Sequence, residues 1–265
     1  LPVGGRGVRA VAGILEQVVG RGADVVLGVS GDLVARAESR GARRAERALV
    51  PAPPLPVAGP RALTRAALGV GDDVVLLLTV ARLAPQKGLD LLADAAGALR
   101  SKGILWLVAG DGPLQGELEG RAASQRLPVR VLGRREDVAD LLAAADVVVS
   151  TARWEGQPLG IQEALALGAP VVATDVGGTR EVTQDAAVLV EPDAARIAAA
   201  VDALVEDPKR RADLAHRARR RAAQLPDLAA TLDQLDRVYR AARGDVGGTT
   251  GPPSARPDRG GGPVR

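Results

Sequence analysis

Cysteine, methionine and phenylalanine are absent from the 265 residues, and the chain carries only two tryptophans, one tyrosine and one histidine. Without cysteine there can be no disulfide and no thiolate-bound metal, which fits a cytoplasmic enzyme. A net charge of +3, with no basic block interleaved with aromatics, excludes a stacking platform for nucleic acid. No apolar run approaches the ~20 residues of a membrane span. The longest run, 74–80, has the length of a buried strand. The chain opens at Leu1 in a Gly/Arg-rich stretch unlike a signal peptide, and so reads as a fragment rather than a processed protein. What is present is a hydrophobic fraction of 46%, enough for a full core built from Val, Leu, Ile and Ala.

Short apolar runs at 23–29, 74–80, 105–109, 129–132, 147–150, 171–174 and 187–190 are Val-rich, mostly without alternation, and bounded by Gly, Pro or Asp. That is the pattern of strands covered on both faces of a parallel sheet. Between them, 90–100, 114–124, 136–144, 159–167, 194–206 and 208–224 have helical spacing. Strand-helix alternation of this length predicts right-handed βαβ units in an α/β fold with a doubly wound parallel sheet, Rossmann-like in kind. Four prolines within Pro51-Ala52-Pro53-Pro54-Leu55-Pro56 predict a stiff extended linker over 51–60. Residues 1–50, with one strand at 23–29 and one helix at 32–40, hold too little to bury a core and read as the last piece of an upstream domain. Residues 61–243 form the main domain, and 244–265, half Gly and Pro, should be disordered.

Four loops at strand C-terminal ends could carry chemistry, since ligands of open α/β sheets bind at that edge. The first runs from Arg82 to Gly88: Arg82 can fork onto two phosphate oxygens, and Lys87 supplies a point charge. Two solvated loop cations are the plain alternative. In the second, Glu155 precedes and Glu163 follows a helix start at Pro158, where the N–H groups of Leu159, Gly160 and Ile161 stand ready for an anion. Glu163 could accept hydrogen bonds from ribose hydroxyls and Glu155 from a sugar, or both acids could simply complement a helix N-terminus. The third, Gly110-Asp111-Gly112-Pro113, is one residue too long for a dinucleotide fingerprint and lacks its later acid. It reads better as a nucleotide-sugar turn, with helix capping as the plain role of Asp111. In the fourth, Gly177-Gly178 would let the backbone come close to a ligand, or form a tight turn.

Taken together, 74–239 resembles the C-terminal half of family 4 glycosyltransferases, which have the GT-B fold. The resemblance rests on Arg82-Leu83 with Lys87-Gly88, on Gly110-Asp111-Gly112-Pro113, and on two glutamates with seven residues between them, Glu155 and Glu163. It rests also on Glu163-Ala164, on Gly168-Ala169-Pro170-Val171-Val172-Ala173, and on Gly177-Gly178 with Glu181. It implies a nucleoside-diphosphate sugar as donor, no cofactor and no metal, and transfer with retention of configuration. Arg82 and Lys87 would hold the diphosphate, Glu163 the ribose and Glu155 the sugar, so Arg82, Lys87 and Glu155 would be the catalytic set. Amides at Leu159–Ile161 would touch phosphate, and Gly133-Arg134 would lie beside the base. Residues 1–50 would then be the remnant of the acceptor domain, and the acceptor a sugar, a lipid-linked sugar or a small molecule.

The sequence departs from the family at Gln157-Pro158, where many members have Phe-Gly, which bears on contacts to the acceptor. The single histidine, His216, lies in the Arg-rich stretch 210–221 and reads as solvated helix surface. That stretch could make peripheral contact with anionic lipid, or be a plain solvated face. A GT-B nucleotide-sugar 2-epimerase would need acids and a histidine in another arrangement. A nucleotide-sugar-binding module without catalysis would keep affinity but not transfer, and a dehydrogenase would bind NAD.

Overall fold

The computed structural model describes residues 6–52 and 55–244. Its centre is a six-stranded, wholly parallel sheet of β3 (Val75–Val80), β4 (Ile104–Ala109), β5 (Val129–Gly133), β6 (Val147–Ser150), β7 (Val171–Thr174) and β8 (Val188–Val190), in the order β5-β4-β3-β6-β7-β8. From β3 the chain winds outward through β4 to β5, then crosses back to β6 and winds the other way. The order reverses between β3 and β6, and in such sheets the ligand crevice opens outside the carboxyl ends at that reversal.

Both faces of the sheet are covered, as the Val-rich runs require. Leu77, Trp106, Val108, Val149 and Val172 face one layer, which contains α4 (Leu89–Ala98), α5 (Gln115–Ser124) and α9 (Ala194–Val205). Leu76, Leu78, Leu107, Val148 and Val171 face the other, with α3 (Arg61–Ala67), α6 (Val138–Ala144), α7 (Leu159–Ala166) and α8 (Thr179–Thr183). The next helix, α10 (Pro208–Ala222), sends Leu214 into the first layer and Ala218 into the second. In the absence of Phe and Met the only aromatic in the core is Trp106, fully buried; its indole N–H donates to Thr79 Oγ1 (3.0 Å), and that hydroxyl donates to the Val149 carbonyl (2.7 Å). At the sheet's opposite edge, buried Arg65 donates to the carbonyls of Ala144, Gly71 and Val74 and to Asp146 Oδ2 (3.1 Å). That pin starts the domain at α3, a helix with no apolar stripe because its inward residue is a cation.

The N-terminal unit is larger than one strand and one helix. It contains α1 (Arg6–Gly22), β1 (Val26–Gly28), α2 (Gly31–Ser39) and β2 (Ala45–Arg47), with β1 and β2 parallel. The expected strand at 23–29 is only three residues long, since just Val26–Gly28 pair with the equally short β2. Among the described residues no apolar side chain before Leu68 is in the buried core, and Val8, Val11, Ile14, Leu15, Val18 and Val19 of α1 lie exposed.

The proline-rich stretch has no regular structure in its described part, yet it is docked on the main domain. Leu55 packs on the core, and the N–H groups of Ala58 and Gly59 donate to Asp140 Oδ1 at 2.8 and 3.2 Å. A last helix, α11 (Leu228–Arg243), returns to the N-terminal unit: Gln234 accepts from the Leu49 N–H (2.7 Å) and donates to the Arg47 carbonyl (2.7 Å). Gly244 closes α11 in the left-handed conformation, while the rest of the expected disordered tail, 245–265, lies outside the described residues.

Candidate donor site

The loops at the carboxyl edge between β3 and β6 are stitched backbone to backbone, which fixes where their side chains stand. After β3 the chain makes a short 3-10 turn, Pro85–Lys87, and Gly88 takes φ 61°. A side chain at Gly88 would put its Cβ 2.1 Å from the Thr151 carbonyl oxygen, so only glycine lets this loop lie on the one after β6. Thr151 Oγ1 donates to the Lys87 carbonyl (2.9 Å), the Arg153 N–H to the Gln86 carbonyl (2.8 Å), and Gln86 Nε2 to the Trp154 carbonyl (2.9 Å). Across this seam the Lys87 ammonium is ion-paired and hydrogen-bonded to the Glu155 carboxylate, which is only 7% exposed.

Lys87 and Glu155 line one cavity of about 290 Å³, together with Leu159, Gly160 and Ile161 at the start of α7. Pro158 caps α7 from an extended conformation, one residue earlier than a first-turn position, and its carbonyl accepts from both the Ile161 and Gln162 N–H groups at 3.1 Å. The Ile161 N–H expected to face an anion is therefore already engaged, whereas those of Leu159 and Gly160 precede the helix's first internal bond and stay available. Glu163 lies in the second turn, half-buried and outside the lining of this cavity, with no ion pair among the described residues. Burial raises its pKa above the ordinary glutamate value.

A second cavity of about 300 Å³ adjoins the first, both including Val80 and Ala81, and takes in Arg82, Gly110, Asp111, Arg134 and Arg135. Arg135 is held by Asp137 (2.7 Å), whereas neither Arg82 nor Arg134 has a carboxylate partner among the described residues. The pair Arg82 and Lys87, five residues apart in sequence, is thus split between neighbouring cavities, and Arg134 from the β5 loop joins Arg82.

The glycine loops serve chiefly as close contacts between backbones. A Cβ at Gly110 would meet the Ala81 carbonyl oxygen at 1.9 Å and one at Gly112 the Leu83 carbonyl oxygen at 2.5 Å, so both lie against the loop that carries Arg82. Gly112 is outside the lining of either cavity. Asp111 does not cap α5: Leu114 stands at that position without a side-chain bond, and the Asp111 carbonyl accepts from the Leu83 N–H (2.7 Å). Gly177, at φ 51°, and Gly178 likewise back onto the Glu155 loop. The Gly178 N–H donates to the Glu155 carbonyl (3.1 Å), and a Cβ at Gly177 would come within 1.8 Å of that oxygen. They position Glu155 and line neither cavity.

Two residues outside the expected site set tie it to the N-terminal unit. Glu181 accepts from the Gly31 N–H and from Arg47 Nε, each at 2.8 Å, and Gln157 Nε2 donates to the Val50 carbonyl (2.6 Å). Their only signal in the sequence is their place inside motifs that point to other roles. A larger apolar groove, about 440 Å³ with Trp154 on its rim, lies between α1 and α2. Its arginines Arg36 and Arg40 are both drawn to Glu16 (2.8 and 3.6 Å), so it has no free cation for a phosphate. His216 is exposed on α10.

Comparison with known proteins places this architecture. Residues 61–221 match the family described as glycosyl transferases group 1. The chain belongs to that family. Among group 1 relatives, alpha-D-kanosaminyltransferase of Streptomyces kanamyceticus is 31% identical over 64% of this chain and 46% of its own. D-inositol 3-phosphate glycosyltransferase of Thermomonospora curvata is 36% identical over 70% of this chain and 47% of its own. The chain thus spans about half the length of these curated relatives. The fold is shared with the crystal structure of Anabaena HepE in complex with UDP and glucose (TM-score 0.75, 24% identity, 86% of this chain and 66% of that one). It is shared equally with sucrose-phosphate synthase of Thermosynechococcus elongatus (TM-score 0.77, 24% identity, 92% and 65%). The six-stranded parallel α/β domain is accordingly that of the GT-B glycosyltransferases.

Proposed function

We propose that this chain is the donor-binding half of a retaining glycosyltransferase that takes a nucleoside-diphosphate sugar and delivers the sugar to a sugar, a lipid-linked sugar or a small molecule. The observation that carries the reading is the pair of adjoining cavities at the sheet's reversal point. They gather Lys87, Arg82 and Arg134 with the free N–H groups of Leu159 and Gly160. HepE was crystallised with UDP and glucose, which supports a nucleotide sugar as the donor here. In the proposed pose the diphosphate spans the two cavities, the sugar lies against Glu155, and Glu163, in the second turn of α7, turns to the ribose.

Glycosyl transfer passes through an oxocarbenium-like centre while negative charge grows on the departing diphosphate. Fixed ammonium, guanidinium and main-chain N–H groups stabilise that charge as it develops, without rearranging. These groups could do the work that a divalent ion does elsewhere, which supports metal-independent transfer. The reading also fits a protein working in the cytoplasm, and no helix among the described residues is long and apolar enough to cross a membrane.

Thermal denaturation against UDP-, GDP- and ADP-sugars tests it. A cognate donor at ~100 times its dissociation constant is expected to stabilise the protein by roughly 2.7 kcal/mol. Arg82→Ala should weaken that donor by about 1.5–3 kcal/mol, the usual worth of a hydrogen bond to a charged group. A protein whose melting no nucleotide sugar moves would not be a donor-binding domain.

A further inference from the structure

The pairing of Lys87 with Glu155 sets two requirements of the donor site against each other. Resting on the donor reading above, we infer that Glu155 discriminates the sugar-bearing nucleotide from the bare nucleoside diphosphate, favouring the first and expelling the second. Within the cavity Lys87 is the only ammonium, and its one side-chain partner among the described residues is the Glu155 carboxylate. Glu155 in turn has no other side-chain partner among them.

The backbones of both residues are fixed. Thr151 holds the Lys87 carbonyl, Gly178 holds the Glu155 carbonyl, and Gly88 lets the two loops touch. Any exchange of partners is therefore a movement of two side-chain ends. A diphosphate that recruits Lys87 must share or displace its bond to Glu155, and either way sets phosphate oxygens beside a carboxylate of like charge at 7% exposure. If the nucleotide carries a sugar, its hydroxyls donate to that carboxylate and satisfy it. Once the sugar has gone, nothing on the bare diphosphate can donate to it. Glu155 then competes again for Lys87, and the affinity of the product falls. The same residue that grips the sugar would hasten departure of what remains after transfer.

The experiment is isothermal titration of the 265-residue wild-type chain, Glu155→Gln and Glu155→Ala with UDP, GDP and ADP and with the matching nucleotide sugars. Both variants should bind the cognate nucleoside diphosphate more tightly, on the order of tenfold, since a like charge has been removed from its side. Both should bind the nucleotide sugar no better than wild type. The two substitutions share only the loss of charge, so either one that unfolds at the same temperature as wild type is sufficient. If wild type binds a nucleoside diphosphate and the folded variants bind it equally or more weakly, the inference is wrong while the donor reading stands. If wild type binds none of the nucleotides, the donor reading falls and takes this inference with it.

Discussion

At the scale of single residues, buried charges in this protein fall into two kinds. The Glu155 carboxylate is bonded only to the Lys87 ammonium in the wall of a cavity, where a ligand could draw on either group, whereas Asp202 on α9 is engaged with the backbone. Burial alone would raise the Asp202 pKa, but the N–H groups of Ser101 and Arg100 and the Arg100 charge outweigh it and hold the carboxyl below the usual aspartate value. A lowered folded-state pKa means stability that is present above the ordinary aspartate pKa and lost as pH falls through the folded one. Asp202→Asn should therefore destabilise the protein by about 1–3 kcal/mol at neutral pH. Its deficit should shrink as the pH is lowered beneath the ordinary aspartate range. Urea denaturation of both proteins across acidic pH checks this; a deficit constant with pH would show that Asp202 contributes shape rather than charge.

At the scale of elements, the loops after β3, β6 and β7 form a stack in which each is seated on a neighbour's backbone. Gly177→Ala should cost at least about 1–2 kcal/mol for the left-handed conformation alone. The new Cβ would also push on the Glu155 carbonyl, so nucleotide-sugar affinity should fall although Gly177 lines neither cavity. Paired denaturation and titration measurements would reveal whether stability and affinity fall together.

Elements whose stability comes from apolar burial are legible in the sequence, and those held by polar contacts are not. The strands of the main sheet stand out as apolar runs, β3, β4, β6 and β7 with most residues buried and the edge strands β5 and β8 partly so. The helix α3 does not, since Arg65 replaces an apolar stripe with hydrogen bonds to the nearby carbonyls of Gly71 and Val74 and to Ala144 and Asp146 far along the chain. The strand β2, Ala45–Arg47, is short and charged, and α1 is bracketed and interrupted by glycines that lower helix propensity. In the site, residue types and spacing single out loops at the carboxyl edge of the sheet. They do not tell that Lys87 pairs with Glu155 while Arg82 lines a neighbouring cavity with Arg134, because loop-on-loop packing decides that partition.

At the scale of the whole molecule, the described residues of the N-terminal unit add no apolar side chain to the buried core, and the unit is held by polar contacts: Gly31 and Arg47 on Glu181, Val50 on Gln157, and Arg47 and Leu49 on Gln234. A unit attached this way should come loose before the sheet does. Glu181→Ala is expected to speed tryptic cleavage within 6–50 several-fold while a fragment containing 61–222 persists, as mass spectrometry of the digest would show. Uniform digestion of both parts would mean that they unfold together.

Poverty in aromatics leaves the molecule with two indoles in distinct surroundings. Trp106 is sealed in the sheet with its N–H bonded to Thr79, and Trp154 sits next to Glu155 on the rim of the groove between α1 and α2. Intrinsic emission is thus a two-channel optical record: one chromophore responds only when the sheet itself opens, the other to local rearrangement at the joint. Replacing either one would separate the channels, with no external label needed to follow the joint in solution.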